Sequence, residues 1–319
     1  MTVKIGFFTD THLRATRPAS RTDADFFGTQ LAKIDSARKI FEGRGVDIVI
    51  HGGDVVDSGN VANSVIIRAS ATFRKFKTPV YSLAGNHDAG YHSNQLGTSA
   101  LGVMFESRAL TKLETLRVPG VVIRGVHAQD DTNWGIADTS GNDEVPVLVA
   151  HKMLTTMPIP GGNCYLVDDV DRETNCGVIL SGDIHSPHCL RTESGRWFVN
   201  PGSLSRMSVN DRGRRPQVAV ITIEGYDVSV ELIPVESRPG SEVFDEAAYA
   251  ERLAAEAHGR EFVRSYVGDI ISAQGKVAEI GPSLLAYAAG HAGDNPAVTR
   301  VLKSALARAE AAVMKESEE

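Results

Sequence analysis

Five short runs of β-branched and other apolar residues each end in a turn that carries a metal-binding side chain. Val3 to Thr9 leads into Asp10 and His12, Val46 to Ile50 into His51-Gly52-Gly53-Asp54, and Pro79 to Leu83 into Gly85-Asn86-His87-Asp88. Val145 to Ala150 leads into His151, and Val178 to Ser181 into Gly182-Asp183-Ile184-His185. Runs of this length and composition read as buried strands. Helix-spaced apolar stripes separate the first three: Leu31, Ile34, Ile40 and Phe41, closing at Gly43 and Gly45, then Val61, Val65, Ala69 and Phe73. The βαβα rhythm predicts an α/β fold around a large mixed sheet. Further strands are predicted at Val121 to Val126, at Trp197 to Val199, and in a hairpin-like pair, Gln217 to Ile223 and Val228 to Ile233, around Gly225. In an open α/β sheet the crevice beyond the carboxyl ends of the strands gathers side chains that are distant in sequence.

Asp10, His12, Asp54, Asn86, His151, Asp183 and His185 are therefore candidate metal ligands, and they are too many for one ion. Oxygen and imidazole donors without thiolate suit Mn²⁺, Mg²⁺, Fe or Zn²⁺ in five- or six-coordinate sites better than a structural zinc. Two ions sharing the Asp54 carboxylate accommodate the set. Ions roughly 3.5–4 Å apart lower the pKa of a shared water and clamp the attacking and departing oxygens of an in-line displacement, which is the demand of phosphate esters. His87 is then the candidate general acid for the leaving oxygen, worth about 10²–10⁴-fold. Asp88 is expected to keep it charged and oriented. The alternatives for His87 are a further ligand or a loop histidine. His51 is read as structural, His127 as a substrate contact or an idle strand end, and His188 as a surface histidine.

The order Asp-x-His, Gly-Asp, Gly-Asn-His-Asp, an isolated His and Gly-x-x-His resembles the calcineurin-like metallophosphoesterases over about residues 1 to 235. Arg21-Thr22-Asp23 with Phe26 and Phe27, His51-Gly52-Gly53-Asp54, and Asn200-Pro201-Gly202-Ser203-Leu204 resemble the SbcD-like nuclease branch, which includes phage-encoded members. The resemblance implies a mixed-sheet core in an αββα-type sandwich. It assigns Asp10, His12, Asp54 and His185 to one metal and Asp54, Asn86, His151 and Asp183 to the other, with His87 facing substrate. Family members usually carry Gly-His-x-His where this chain has Gly182-Asp183-Ile184-His185. The extra carboxylate is expected to favour Mn²⁺ or Mg²⁺ over zinc.

Two enzyme substrates and one non-enzymatic role stay open at this level. Arg206, Arg212, Arg214 and Arg215 on one segment, and Arg14, Arg17 and Arg21 on another, suit a DNA backbone, with Arg21, Arg206 and His127 as candidate substrate contacts. The alternatives are a small nucleotide diester, such as a cyclic nucleotide, or a non-catalytic nucleic-acid-binding subunit. The SbcD-like resemblance also implies an SbcC-like ATPase partner with a long coiled coil; a homo-oligomer is a further possibility.

Composition bounds the rest. The chain has 319 residues with a formal charge of −7, so an all-over basic coat is excluded. No apolar run approaches the ~20 residues of a membrane span, and the opening residues lack the pattern of a signal peptide, so export is not expected. Three cysteines at irregular spacing suit a reducing cytoplasm, that of a host if the chain is virus-encoded. After Pro234 the sequence turns Ala- and Glu-rich, which predicts a helical C-terminal region over 236–319 beside a catalytic domain over 1–235.

Overall fold

A computed structural model describes residues 2–89, 96–136, 144–159, 164–251 and 254. The chain divides into two units, Met1–Asp245 and Glu246–Glu319. Most of the second unit, and with it the predicted helical C-terminal region, lies outside the described residues.

The first unit begins with β1 (Thr2–Phe8), α1 (Phe26–Arg44), β2 (Ile48–His51), α2 (Asn63–Phe73), β3 (Val80–Ser82) and α3 (Ala100–Glu106). The short β4 (Thr111–Lys112), β5 (Thr115–Val118), β6 (Val121–Val126), β7 (Val145–His151), β8 (Leu154–Thr155), β9 (Tyr165–Leu166) and α4 (Val167–Glu173) follow. It ends with β10 (Val178–Gly182), β11 (His188–Arg191), β12 (Trp197–Asn200), β13 (Gln217–Glu224), β14 (Asp227–Pro234) and α5 (Gly240–Val243). The strands form two six-stranded sheets, in the orders β14-β13-β1-β2-β3-β4 and β11-β12-β10-β7-β6-β5, plus the β8-β9 pair. Both large sheets are mixed: β1, β2 and β3 are parallel while β13 and β14 are antiparallel, and β6, β7, β10 and β12 are parallel while β5 and β11 are antiparallel.

Strand alternation dictates the layers. Ile5 and Phe7 of β1, Ile48 and Ile50 of β2, Val147 and Val149 of β7 and Leu180 of β10 form one apolar cluster between the sheets. Phe8 and Val49 point the other way and meet Ile34 and Phe41 of α1 and Val65 and Phe73 of α2. On the far side, Leu148 and Ile179 meet Val167 and Val170 of α4. The result is the helix–sheet–sheet–helix sandwich that the resemblance implied, its strands divided between two mixed sheets.

Local chemistry explains the element ends. Asp25 caps α1 by accepting from the Gly28 N–H at 2.8 Å, and Gly45 closes it in the left-handed conformation at φ 63°. Gly6 lets α1 sit close to β1, since a Cβ there would lie 2.7 Å from the Phe41 ring. Beyond β14 the chain returns to the same unit: Thr22 N–H donates to Val243 O, and Asp245 N–H to Ser20 O. These contacts carry the first unit to Asp245, ten residues past the end of the compositionally defined domain. No described helix is long and apolar enough to cross a membrane.

Candidate metal centre

The strand that carries His151 shows how the site is built. Val145, Val147 and Val149 point between the sheets, so His151, two residues on, points there too. Its Nδ1 donates to the Gly52 carbonyl at 2.7 Å, which turns Nε2 toward Asn86 Oδ1 at 3.0 Å and Asp54 Oδ2 at 3.4 Å. Asp54 Oδ2 also lies 3.6 Å from His12 Nε2. His12 Nε2 and His185 Nε2 approach to 3.0 Å, and Asp183 Oδ1 is 3.9 Å from His151 Nε2. The ends of β1, β2, β3, β7 and β10 thus converge on one cluster, and all seven candidate ligands are brought together.

The backbone is bent to do this. Asp10, His12, Asp54 and Asp183 all have positive φ, at 54°, 42°, 53° and 80°. Such conformations cost on the order of 1–3 kcal/mol each and persist where the surroundings over-determine them. Here Asp10 N–H donates to Gly53 O, His12 N–H to Asp54 O, and Asp183 N–H to Asp10 Oδ1. Gly85 has to be glycine, because a Cβ would lie 2.0 Å from Asp54 Oδ1.

The electrostatics call for a cation. Burial, reinforced by the Asp54 charge, pushes the Asp10 carboxyl up to about 7. Burial also raises the Asp183 carboxyl above its ordinary value. Burial opposes a proton on His151, yet the carboxylates of Asp54, Asp10 and Asp183 raise its pKa to about 10. Burial takes His12 the other way, down to about 3, so its ring is neutral and one ring nitrogen keeps a lone pair for an ion. Two neutral imidazole nitrogens 3.0 Å apart face each other favourably only across a proton or a cation. Among the described residues three donor sets each meet within the reach of an ion: Asp10, His12 and His185; Asp10, Asp54 and His151; and His12, Asp57 and His87. Carboxylate oxygens and imidazole nitrogens gathered this closely fit a binuclear divalent centre, whose charge would stand in for the proton that the carboxylates otherwise hold on His151.

Asp57 was not apparent from sequence. Its carbonyl accepts from His87 Nδ1 at 3.0 Å, while its carboxylate lies 3.6 Å from His12 Nδ1 and 2.8 Å from Arg14 Nη1. One residue therefore orients the candidate acid by a hydrogen bond and places its charge beside a candidate ligand. Its spacing of three from Asp54, just before Ser58-Gly59, is the signal that could have marked it. The His87 N–H donates to Asp54 Oδ1 at 2.9 Å, and its ring meets the His12 ring edge-on at 4.8 Å.

Four expectations change. Asp88 adds its charge to those that raise His87 but does not orient the ring by a hydrogen bond; it is fully buried and accepts from the Val56 and Gly85 N–H groups, closing the loop that carries Asn86 and His87. Arg21 is 2% exposed, forked onto Asp23 at 2.7 and 2.9 Å, and sandwiched between the Phe26 and Phe244 rings, so it is a core residue rather than a substrate contact. Arg206 is 3% exposed and donates to the carbonyls of Arg212 and Arg238. His127 is also buried, with Nδ1 accepting from the Ala84 N–H, and does not reach a substrate surface. His51 is structural as expected, edge-on to Phe8 on the helix side of the first sheet and bonded to Thr11.

The calcineurin-like phosphoesterase superfamily domain matches residues 3–225. The chain belongs to that superfamily. With the metal-fitting cluster at its strand ends, this makes it a metal-dependent phosphoesterase. Among solved structures, TT1561 of Thermus thermophilus shares 11% identity at a TM-score of 0.44, covering 73% of this chain and 99% of its own. A dimetal phosphatase from Danio rerio shares 10% at a TM-score of 0.47, covering 73% and 99%. A 5′-nucleotidase precursor from Thermus thermophilus shares 11% at 0.43, covering 81% and 59%. No curated protein sequence matches the chain.

Proposed function

We propose that this phosphoesterase is an SbcD-like nuclease that hydrolyses phosphodiester links of DNA, using two divalent ions. The observation that carries the two-ion reading is the position of Asp54, whose Oδ2 lies 3.6 Å from His12 Nε2 and 3.4 Å from His151 Nε2. In this reading Asp10, His12, Asp54 and His185 hold one ion, and Asp54, Asn86, His151 and Asp183 hold the other. When bound, the ions lower the pKa of water and offset the charge that builds on the phosphoryl oxygens. The extra carboxylate of Asp183 favours Mn²⁺.

The side chains do the remaining work. His87 carries the proton for the leaving oxygen. Burial disfavours its charged form, but the Asp57 carbonyl and the Asp54, Asp57 and Asp88 charges together raise its pKa above the ordinary value. A shift in that direction favours the protonated imidazole, the form that can give a proton to the leaving oxygen.

A polyanionic substrate is supported by the cations left on the surface once Arg21 and Arg206 are assigned to the core. Arg17, Arg212 and Arg215 are exposed and Arg14 is half-buried. The loop that leads to residues 212–215 borders the cluster directly: Ser203 Oγ donates to Asp10 O, and Leu204 N–H to Thr9 O. A backbone running over these arginines would present its scissile link to the cluster.

The test is hydrolysis of end-labelled linear DNA in Mn²⁺ beside bis-p-nitrophenyl phosphate and cyclic nucleotides, with the Asp54→Ala protein as blank. DNA cleavage that is absent from the blank and falls steeply with salt supports the nuclease reading. Turnover of small diesters alone replaces it with a nucleotide phosphodiesterase. Absence of any metal-dependent hydrolysis leaves a binding subunit.

A further inference from the structure

His127 follows β6 in the second sheet, while Ala84 follows β3 in the first, two residues before Asn86. They are joined by two hydrogen bonds: the Ala84 N–H donates to His127 Nδ1 at 2.8 Å, and the Ala128 N–H donates back to Ala84 O at 3.0 Å. The turn after His127 is itself braced. The His127 N–H donates to Asp130 Oδ2 at 2.8 Å, and Lys152 Nζ donates to the Ala128 and Asp130 carbonyls, each at 2.8 Å. Lys152 is the neighbour of His151 in the chain. A closed ring of contacts therefore runs from His151 through Lys152, the 127–130 turn, His127 and Ala84 to Asn86, and back to His151 Nε2 at 3.0 Å.

The two ring nitrogens of the histidine are not equally engaged. Among the described residues the buried Nε2 has no hydrogen bond of good geometry, with the Leu113 carbonyl and the Glu114 carboxylate, 3.9 Å away, as its polar neighbours. The well-formed bond is the one that Nδ1 accepts from the Ala84 N–H. The apolar cluster between the sheets is non-directional and cannot fix the position of one loop against another. The hydrogen-bonded ring can.

We propose that His127 is a positioning residue that, with Lys152, holds Asn86 and His151 at the spacing the second metal ion requires. The proposal rests on the two-ion reading above. Groups that orient ligands in this way are typically worth 10–100-fold in metal affinity.

The experiment is Mn²⁺ titration of the full chain, following free Mn²⁺ by electron paramagnetic resonance, for the wild type, His127→Asn, His127→Gln and Lys152→Met. An Asn amide places an acceptor where Nδ1 stood; a Gln amide reaches the place of Nε2 instead. The wild type should bind two ions, and His127→Asn should retain both. His127→Gln and Lys152→Met should bind the first normally and the second about 10–100-fold more weakly. Wild-type affinity for both ions in His127→Gln and Lys152→Met would overturn the proposal, as would equal weakening of both ions, which marks general loosening. A wild type that binds fewer than two ions would overturn the two-ion reading itself, and the positioning role with it.

Discussion

The Nε2 atoms of His12 and His185 lie 3.0 Å apart although 173 residues separate them. One follows β1 of the first sheet and the other follows β10 of the second, so their meeting marks where the two sheets close on a common rim. Asp10 and Asp54 stand beside them, fully or almost fully buried. Buried carboxylates facing imidazole lone pairs make this rim a binding place for cations.

In the proposed two-ion centre Asp54 serves both ions, its Oδ2 standing 3.6 Å from His12 Nε2 and 3.4 Å from His151 Nε2, so Asp54→Ala should remove hydrolysis entirely and lower the Mn²⁺ bound at saturation. Equilibrium dialysis beside a phosphodiester assay checks both. Retention of two ions in the variant would remove Asp54 from its bridging role.

His87→Ala should keep its metals and lose rate according to the leaving group. With an alkoxide leaving group, which needs a proton, the loss should be about 10²–10⁴-fold. With p-nitrophenolate, which does not, it should be small. Equal losses on the two substrates would rule out proton donation by His87.

Arg21 should behave as a core residue. Breaking its buried pair with Asp23 by Arg21→Ala should cost on the order of 3–5 kcal/mol in chemical denaturation, since Asp23 is left buried and unpaired. The KM for DNA of the folded fraction should not move. A large KM effect with unchanged stability would restore Arg21 as a substrate contact.

Lys33 supplies a pH signature. It is buried, donates to Leu204 O at 3.2 Å, and is pushed down to about 7 from 10.5, first by burial and then by Arg21, Arg206 and Arg214, against the smaller opposing pull of Asp23. Between pH 7 and 10.5 the unfolded chain holds this proton more tightly than the folded one, so this group makes stability rise with pH over that window. Below pH 7 both states carry the charge and the full penalty applies. Lys33→Met should therefore be the more stable protein at pH 6, by on the order of 2 kcal/mol after the unpaired Leu204 carbonyl is counted, with the gap closing toward pH 10. Denaturant melts at the two pH values check it, and a gap that widens with pH would contradict the assignment.

What could be read from the sequence, and what could not, follows from how far each signal is local. The strands that carry ligands are runs whose own alternation or apolarity marks them, and each ends in a cluster of polar residues and glycines that signals a turn. Asp25 and Gly45 announce the ends of α1 in the same local way. Pairs such as β4, Thr111–Lys112, and β8, Leu154–Thr155, are two residues long and exist only because a neighbouring strand offers hydrogen bonds. The burial of Arg21 depends on Phe244, more than two hundred residues away, and an arginine near a ligand pair reads as surface until that ring is placed over it. Asp88 looked like the partner of the histidine beside it, but adjacent residues in a tight loop point apart, and it serves the backbone instead.

Anomalous diffraction from crystals soaked in Mn²⁺ tests the central claim most directly. Two peaks roughly 3.5–4 Å apart, with the Asp54 carboxylate between them and His12 and His151 on opposite sides, are the predicted result. A single peak, or peaks away from Asp54, would contradict a two-metal phosphoesterase centre at this rim.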